Sequence, residues 1–332
     1  MERNVQVSNR KTGQSRCMRF ILLVFFMAAA ACGCQKKPLV QEYSFEERLW
    51  AFEEDTHTES FPAFAEDICV IGRESGAEED LTAEAAAVLK LNGGEALFCQ
   101  NALERMNPAS TTKIMTALLT LKYGNLDDMV TVTDAAIINE SGSSMAGIVP
   151  GDQISLESLL YGLMMPSGND AANAIAVHMD GSIEAFVDRM NEEAWKIGAT
   201  GTHFANANGL TDASHYTTAY DLYLMFHEAL KYDKFREVIG TGSYTADLTG
   251  ADGQAKSLTW TVGNYYMNGK TETPKGLSVF GGKTGTTQAA GYCLVMGSRT
   301  EGMQEYVSVI MKASSRSELY QDMTKIISKI VN

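Results

Sequence analysis

The sequence predicts an α+β fold in which one sheet is split in the chain by a long helical region. Three observations predict it. β-leaning runs lie between residues 85 and 100 and return between 243 and 311. From about Thr120 to Phe235 apolar residues recur mainly at helical spacing. The chain ends on a helical segment, Ser315–Val331, with Leu319, Met323, Ile326, Ile327 and Ile330 on one face. Strand pairs at both ends with helices between them join most simply as a single sheet.

At 332 residues the chain holds one large domain or two small ones. Its formal charge is −14, which makes a nucleic-acid partner a poor fit, because such partners need a basic footprint. The basic residues gather at the start, where Arg3, Arg10, Lys11, Arg16 and Arg19 face only Glu2. Phe20 to Ala31 is apolar and shorter than the roughly 20 residues of a spanning helix, so residues 1–31 read as a secretory signal. Small residues before Cys32-Gly33-Cys34 resemble a bacterial lipoprotein signal, with Cys32 acylated and Cys34 as the alternative. The position three before Cys32 is Ala29, where such signals usually have Leu. Simple cleavage and an uncleaved anchor stay open. Residues 32–66, with Glu42, Glu46, Glu47, Glu53, Glu54, Asp55 and Glu59, read as an acidic tether, partly helical at Phe45, Leu49 and Phe52. Residues 67–332 form the globular domain, with a helical subdomain at about 120–235.

Within that domain, Ala85–Leu91 is β-leaning, Asn92-Gly93-Gly94 signals a turn, and Glu95–Gln100 follows as a second strand. Pro108-Ala109 lead into a helix whose buried face carries Ile114, Ala117, Leu118 and Leu121. Helices follow over Leu156–Met164, Ala171–Met179, Ile183–Ile197 and Thr218–Leu230, then strands over Ser243–Leu248, Ser257–Val262, Leu277–Lys283, Tyr292–Arg299 and Tyr306–Met311. The terminal amphipathic helix could lie on a membrane, but packing on the sheet is the simpler reading. Cys69, Cys99 and Cys293 are odd in number and imply buried thiols, with one pair if two approach.

Three short motifs carry chemistry. Ser110 falls in the first turn of its helix, where free backbone N–H groups gather, and Lys113 lies about one turn on. A serine hydroxyl needs a base, and a lysine serves if burial or a second cation lowers its pKa. Alone the pattern says little: Ser8-Asn9-Arg10-Lys11 and Lys11-Thr12-Gly13 repeat such spacings in the basic leader, where no pocket can surround them. Ser167-Gly168-Asn169 sits after Pro166 in a tight loop between buried helices, where a hydroxyl can relay a proton and a carboxamide can hold a substrate amide. Lys283-Thr284-Gly285-Thr286 ends the strand Leu277–Lys283, and glycines there admit an extended peptide while a lysine and hydroxyls suit a carboxylate.

In this order, Ser-x-x-Lys, Ser-x-Asn and Lys-Thr-Gly resemble the penicillin-interacting serine enzymes. The flanking stretches Gly142-Ser143-Ser144-Met145, Leu159–Leu163, Phe204–Leu210, His215–Asp221 and Gly282–Tyr292 narrow the resemblance to low-molecular-mass penicillin-binding proteins of the serine D-alanyl-D-alanine carboxypeptidase family, peptidase S11-like. It covers about residues 67–332. The resemblance implies the fold shared by β-lactamases and DD-peptidases, an antiparallel sheet flanked by helices with an inserted all-helical subdomain. It also implies peptidoglycan stem peptides ending in D-Ala-D-Ala as substrate and β-lactams as covalent inhibitors. It makes Ser110 the nucleophile, Lys113 its base and Ser167 a proton relay to the leaving D-alanine. Asn169 would hold the substrate amide, and Lys283, Thr284, Gly285 and Thr286 would bind the terminal carboxylate. The backbone N–H groups of Ser110 and Thr286 would form the oxyanion hole. No metal or cofactor is implied, and His57, His178, His203, His215 and His227 show no His-Glu-x-x-His spacing and read as structural or surface residues.

The segment Thr259-Trp260-Thr261-Val262-Gly263-Asn264 is irregular against the family, and the turn at Asn92 lacks the family's acidic start. A class A β-lactamase would carry Ser-Asp-Asn and a Glu-x-x-x-Asn loop between Ser167 and Lys283, and this sequence has neither. A D,D-endopeptidase or transpeptidase using the same residues stays open, as does a non-catalytic wall-binding lipoprotein.

Overall fold

A computed structural model describes residues 67–71 and 80–331, all within the unit Pro62–Asn332. The expected signal, Cys32, Cys34 and the tether lie outside the described residues. The main sheet has five antiparallel strands in the order β4-β2-β11-β10-β9. These are β2 (Ala85–Lys90), β4 (Phe98–Gln100), β9 (Leu277–Thr287), β10 (Gly291–Thr300) and β11 (Glu305–Ala313). Both faces of this sheet are covered, which explains why its strands read as continuous apolar runs. Ala87, Leu89, Val295, Val307 and Val309 join the core on one face. Ala86, Val88, Leu294, Met296 and Ile310 join a second core on the other.

The first face packs on helices. The helix α1 (Lys113–Tyr123) is buried at every position from Lys113 to Thr120, so it runs through the core rather than along a surface. It is surrounded by α2 (Leu156–Met164), α3 (Asn169–Asp180), α4 (Ile183–Lys196), α5 (Ala219–Ala229) and α6 (Asp233–Gly240). The second face is covered by α7 (Arg316–Ser328), whose Leu319, Met323, Ile326 and Ile327 are buried. The terminal helix thus lies on the sheet. N-cap hydroxyls set several helix starts: Ser155 accepts from Ser158 N–H, Thr218 from Asp221 N–H and Ser315 from Glu318 N–H.

Three expectations change. The runs near 243 and 257 do not join the main sheet. They are β7 (Ser243–Thr249) and β8 (Ala255–Thr261), which form a separate four-stranded sheet with β5 (Met129–Thr131) and β6 (Gln153–Ser155) inside the supposed all-helical region. The reason is their alternation: only Ala246, Leu248 and Trp260 of β7 and β8 are buried, so these strands have one wet face and do not suit the middle of a two-sided sheet. The expected strand 95–100 is broken: β3 (Gly94–Glu95) pairs in parallel with β1 (Cys69–Val70), and only β4 pairs with β2. The strand holding Lys283 does not end there but runs on to Thr287, because β10 continues to pair with it. All three thiols, Cys69, Cys99 and Cys293, are buried.

The two ends of the described domain are tied by Asp322. Its Oδ2 accepts from Thr82 N (2.9 Å), Thr82 Oγ1 (2.9 Å) and Ala83 N (3.0 Å), with the side chain fully buried on α7. Removing the carboxylate leaves the buried Ala83 N–H unpaired and takes the shared partner from both Thr82 donors. Asp322→Ala is therefore expected to cost about 3 kcal/mol of unfolding free energy, read from urea denaturation, and a loss under about 1 kcal/mol would contradict this.

Candidate active site

Ser110 sits in a 3₁₀ turn, Ala109–Thr112, that leads directly into α1. The turn is held by its own side chains. Asn107 Oδ1 accepts from Ala109 N at 3.1 Å, Thr111 Oγ1 donates to Pro108 O at 2.7 Å, and Thr112 Oγ1 donates to Ala109 O at 2.8 Å. Ala109 takes a left-handed φ of 48°, a conformation costly for a residue with a Cβ and kept only where the surroundings enforce it. His215 braces the turn from behind. The Thr112 hydroxyl, already donating, accepts from His215 Nε2 at 2.7 Å, while His215 Nδ1 accepts from Ala205 N at 3.0 Å. These partners fix the neutral Nε2–H tautomer, and burial pushes the ring's pKa down to about 4.

Lys113 is fully buried, and its Nζ has three partners. Asn169 Oδ1 lies at 2.6 Å, Ser110 Oγ at 3.1 Å, and the Asn208 carbonyl accepts a further short bond. A neutral amine has two hydrogens and one lone pair. Two of these partners are acceptors only, and the third is a hydroxyl that can donate. The geometry therefore aims the lone pair at Ser110. Burial holds the pKa of Lys113 well below the ordinary lysine value, the charge of Lys283 lowers it further, and Asp170 pulls weakly the other way.

Lys283 stands on β9 and is itself 2% exposed. Its Nζ donates to Ser167 Oγ at 2.9 Å and to Thr284 O at 2.7 Å, and burial lowers its pKa to about 7. Ser167 has a left-handed φ of 64°, set between α2 and α3, which turns its hydroxyl toward Lys283. Gly285 has a steric role: a Cβ there would stand 3.0 Å from Pro108 O, Ser110 N and Thr111 N, so glycine lets β9 lie flush on the Ser110 turn without pushing its backbone away. Gly209 does the same from the other side, where a Cβ would meet Ala109 O at 2.0 Å.

Two clefts meet above these groups, sharing Ser144 and Thr286. The larger, about 650 Å³, is lined by Ser110 and Asn169 and walled by Glu140–Ser144. The smaller, about 270 Å³, is lined by Ser167, Thr284 and Thr286 with Thr261 and Gly263 of the irregular segment. Lys113, Lys283 and Gly285 line neither cleft and act from beneath the floor. The wall of the larger cleft is pinned by the buried carboxylate of Asp170, which accepts from Ala146, Gly147 and Ile148 N–H groups at 2.7, 2.8 and 3.2 Å. Trp260 of the second sheet donates to Ala146 O at 2.8 Å.

The structure thus gathers Ser110, Lys113, Ser167, Asn169 and the 283–286 run into one site. Sequence reasoning missed four contributors. Asn208 offers its carbonyl to Lys113 from a loop knit by Asn206, whose Oδ1 accepts from Gly209 N at 2.7 Å, and the Asn-x-Asn-Gly pattern was the available signal. Asp170 and His215 act through buried polar bonds that no periodicity reveals. Arg316 reaches the smaller cleft from α7, far along the chain. Among the described residues no group of His, Cys, Asp or Glu is placed to hold a metal ion.

Comparison with known proteins gives one answer. Residues 73–315 match the family of D-alanyl-D-alanine carboxypeptidases, peptidase S11. The chain is 34% identical to the D-alanyl-D-alanine carboxypeptidase DacF of Bacillus subtilis over 251 residues, covering 74% of this chain and 61% of that protein. It is 34% identical to a D-alanyl-D-alanine carboxypeptidase of Streptomyces strain K15 over 248 residues, covering 71% and 82%. It therefore spans about three-fifths of the Bacillus relative's length and most of the Streptomyces one. Among solved structures, the Streptomyces K15 DD-transpeptidase superposes with a TM-score of 0.70 at 30% identity, covering 76% of this chain and 98% of that one. DacD of Francisella tularensis gives 0.66 at 26% identity, covering 79% and 73%. With Ser110, Lys113 and Ser167 gathered on the fold of those structures, the chain belongs to the D-alanyl-D-alanine carboxypeptidase family, peptidase S11.

Proposed function

We propose that this protein is a serine D-alanyl-D-alanine carboxypeptidase that removes the terminal D-alanine from peptidoglycan pentapeptides and is acylated by β-lactams. The observation that carries the reading is the buried amine of Lys113, 3.1 Å from Ser110 Oγ, with its two hydrogens engaged elsewhere. Ser110 Oγ attacks the carbonyl of the penultimate D-alanine as Lys113 takes its proton. Ser167, on Lys283, passes a proton to the departing D-alanine. That residue's carboxylate lies in the smaller cleft against Thr284 and Thr286, near the charges of Lys283 and Arg316. The acyl portion lies in the larger cleft, and β9, an edge strand of the main sheet, offers its free side to the extended peptide. Water then attacks the acyl-enzyme. The Streptomyces relative is named both a carboxypeptidase and a transpeptidase, two outcomes that differ only in whether water or an amine takes the acyl group.

The same reading puts the domain outside the cytoplasmic membrane, held there by a lipid on Cys32. The basic start, the apolar run 20–31 and the small residues before Cys32 support it. If so, Cys32→Ser moves the protein from the detergent phase to the aqueous phase on partition, and an unchanged distribution refutes lipidation at that residue.

Two measurements test the chemistry. Intact mass after mixing with benzylpenicillin is expected to show one adduct that is absent in Ser110→Ala. No adduct on the parent chain would sink the assignment, and consumption of the antibiotic without one would favour a β-lactamase. The pH dependence tests Lys113. The base works only when unprotonated, so the acylation rate should rise with pH and level off at a pKa well below that of an ordinary lysine. Lys113→Arg, which cannot lose its proton, should slow acylation by about 10²- to 10⁴-fold at every pH, and a rate within about threefold of the parent would exclude Lys113 as base.

A further inference from the structure

The two clefts that meet above Ser110 differ in charge. The smaller has cations at hand: Arg316 lines it, and Lys283 donates to the Ser167 hydroxyl in its wall. The larger has a single ionisable side chain in its lining, the carboxylate of Glu140, among hydroxyls, amides, glycines and short apolar groups. Glu140 is exposed, and among the described residues no Lys, Arg or His pairs with it. Its backbone is nonetheless anchored. Ser143 N donates to Glu140 O at 3.3 Å, closing a turn with Gly142 at a left-handed φ of 79°. The wall that follows is tied to the start of α3: Asn169 N donates to Ser144 O at 2.9 Å, and the Asp170 carboxylate accepts from Ala146, Gly147 and Ile148. A carboxylate held beside a cleft, with no cation of its own chain to meet it, attracts one from a ligand.

The lining residues also give the direction of a bound peptide, an inference that rests on the function proposed above. Along β9, Thr284 belongs to the smaller cleft, Thr286 to both and Thr287 to the larger. With the terminal carboxylate against Thr284, the chain upstream of the attacked carbonyl runs past Thr287 into the larger cleft. One residue upstream of the acylated D-alanine, a wall peptide carries a diamino acid whose side chain bears an ammonium group. That group enters the cleft where Glu140 is the only charge. The clefts then match opposite charges on one short peptide, the carboxylate on the side of Lys283 and Arg316 and the ammonium on the side of Glu140.

We propose that Glu140 is a specificity-determining residue that binds the side-chain ammonium of the residue before the D-alanine pair, so that the protein prefers stem peptides in which this amine is free. A stem whose amine is already acylated carries a neutral amide there and loses the contact. Discrimination therefore falls between free and acylated stems, by the difference of one charge pair. Glu140 is a binding residue, and the bonds made and broken at Ser110 are the same for either stem.

The test compares two tripeptides on the full chain, Nα-acetyl-L-lysyl-D-alanyl-D-alanine and its Nα,Nε-diacetyl form, with D-alanine release as the readout. They differ only at the side-chain nitrogen. The parent chain should favour the free amine about fivefold in kcat/KM, with the difference carried by KM, and the preference should shrink in about 0.5 M sodium chloride, as an exposed charge pair requires. Glu140→Gln should bring the two peptides within about twofold of each other, and Glu140→Lys should reverse their order. For peptides turned over slowly, the same ratio is read from the concentration of each that halves the rate of benzylpenicillin acylation. A parent ratio within about twofold of unity would overturn the assignment, as would a preference that Glu140→Gln leaves intact. An equal loss on both peptides, with their ratio kept, would give Glu140 a role in the wall alone and overturn it too. No penicillin adduct and no cleavage of either peptide would remove the parent function and this role with it, an outcome told from the others by the missing adduct.

Discussion

The amine of Lys113 is buried with no carboxylate in contact, and the rest of the site follows from that constraint. An ammonium group there would give up its hydration without an opposite charge to replace it, so the neutral form is favoured. A neutral amine still needs acceptors for its two hydrogens, and they come from distant parts of the chain: the side chain of Asn169 at the start of α3 and the main chain of Asn208 in the loop before α5. Each is placed by further polar bonds. Asn208 Nδ2 reaches Asn173 Oδ1 at 3.1 Å, and the neighbouring Asp170 holds the cleft wall. Lys283 adds its charge from beneath the opposite side. A network of this kind is sensitive as a whole, because removing one member strands a buried partner.

The steric counterpart is the close fit of β9 against the Ser110 turn. Gly285 and Gly209 meet that turn from two sides, and Ala109 and Ser167 hold left-handed backbone on distant segments that meet at the same site. These positions contradict local preference, and they gather where the chemistry is, as strained positions in folded proteins commonly do. The sheet carries this cost. With both faces buried and long ladders between β9, β10 and β11, it fixes β9 against the turn.

Much of this was legible in the sequence. The three motifs named the residues that the fold brings together, Ser110, Lys113, Ser167, Asn169 and the 283–286 run, and helical periodicity placed α2 at its observed ends, Leu156–Met164. What failed did so for stated reasons. β5 and β6 are three residues each, too short for any periodicity to register; they pair with each other, and the strand that extends their sheet, β7, meets β6 at Thr249, almost a hundred residues on. The strand of Lys283 was cut short because glycines and threonines resemble a turn, whereas β10 supplies a ladder out to Thr287. His215 reads only as a structural or surface residue, since nothing in its neighbours announces that Thr112 and Ala205 enclose it. Buried polar partnerships are long-range facts, and one-dimensional patterns do not carry them.

The strand order also has a consequence in time. β11, the last strand made, lies between β2, the first strand of the main sheet, and β10. β2 therefore has no place to dock on the rest of the sheet until nearly the whole chain exists, and Thr82 and Ala83 wait for Asp322 beyond it. Ser110 and Lys113 lie early in the chain, while the strand that presses on their turn is made late. The nascent protein thus carries Ser110 and Lys113 for most of its synthesis without β9 against their turn, and the site is assembled in one late, long-range closure.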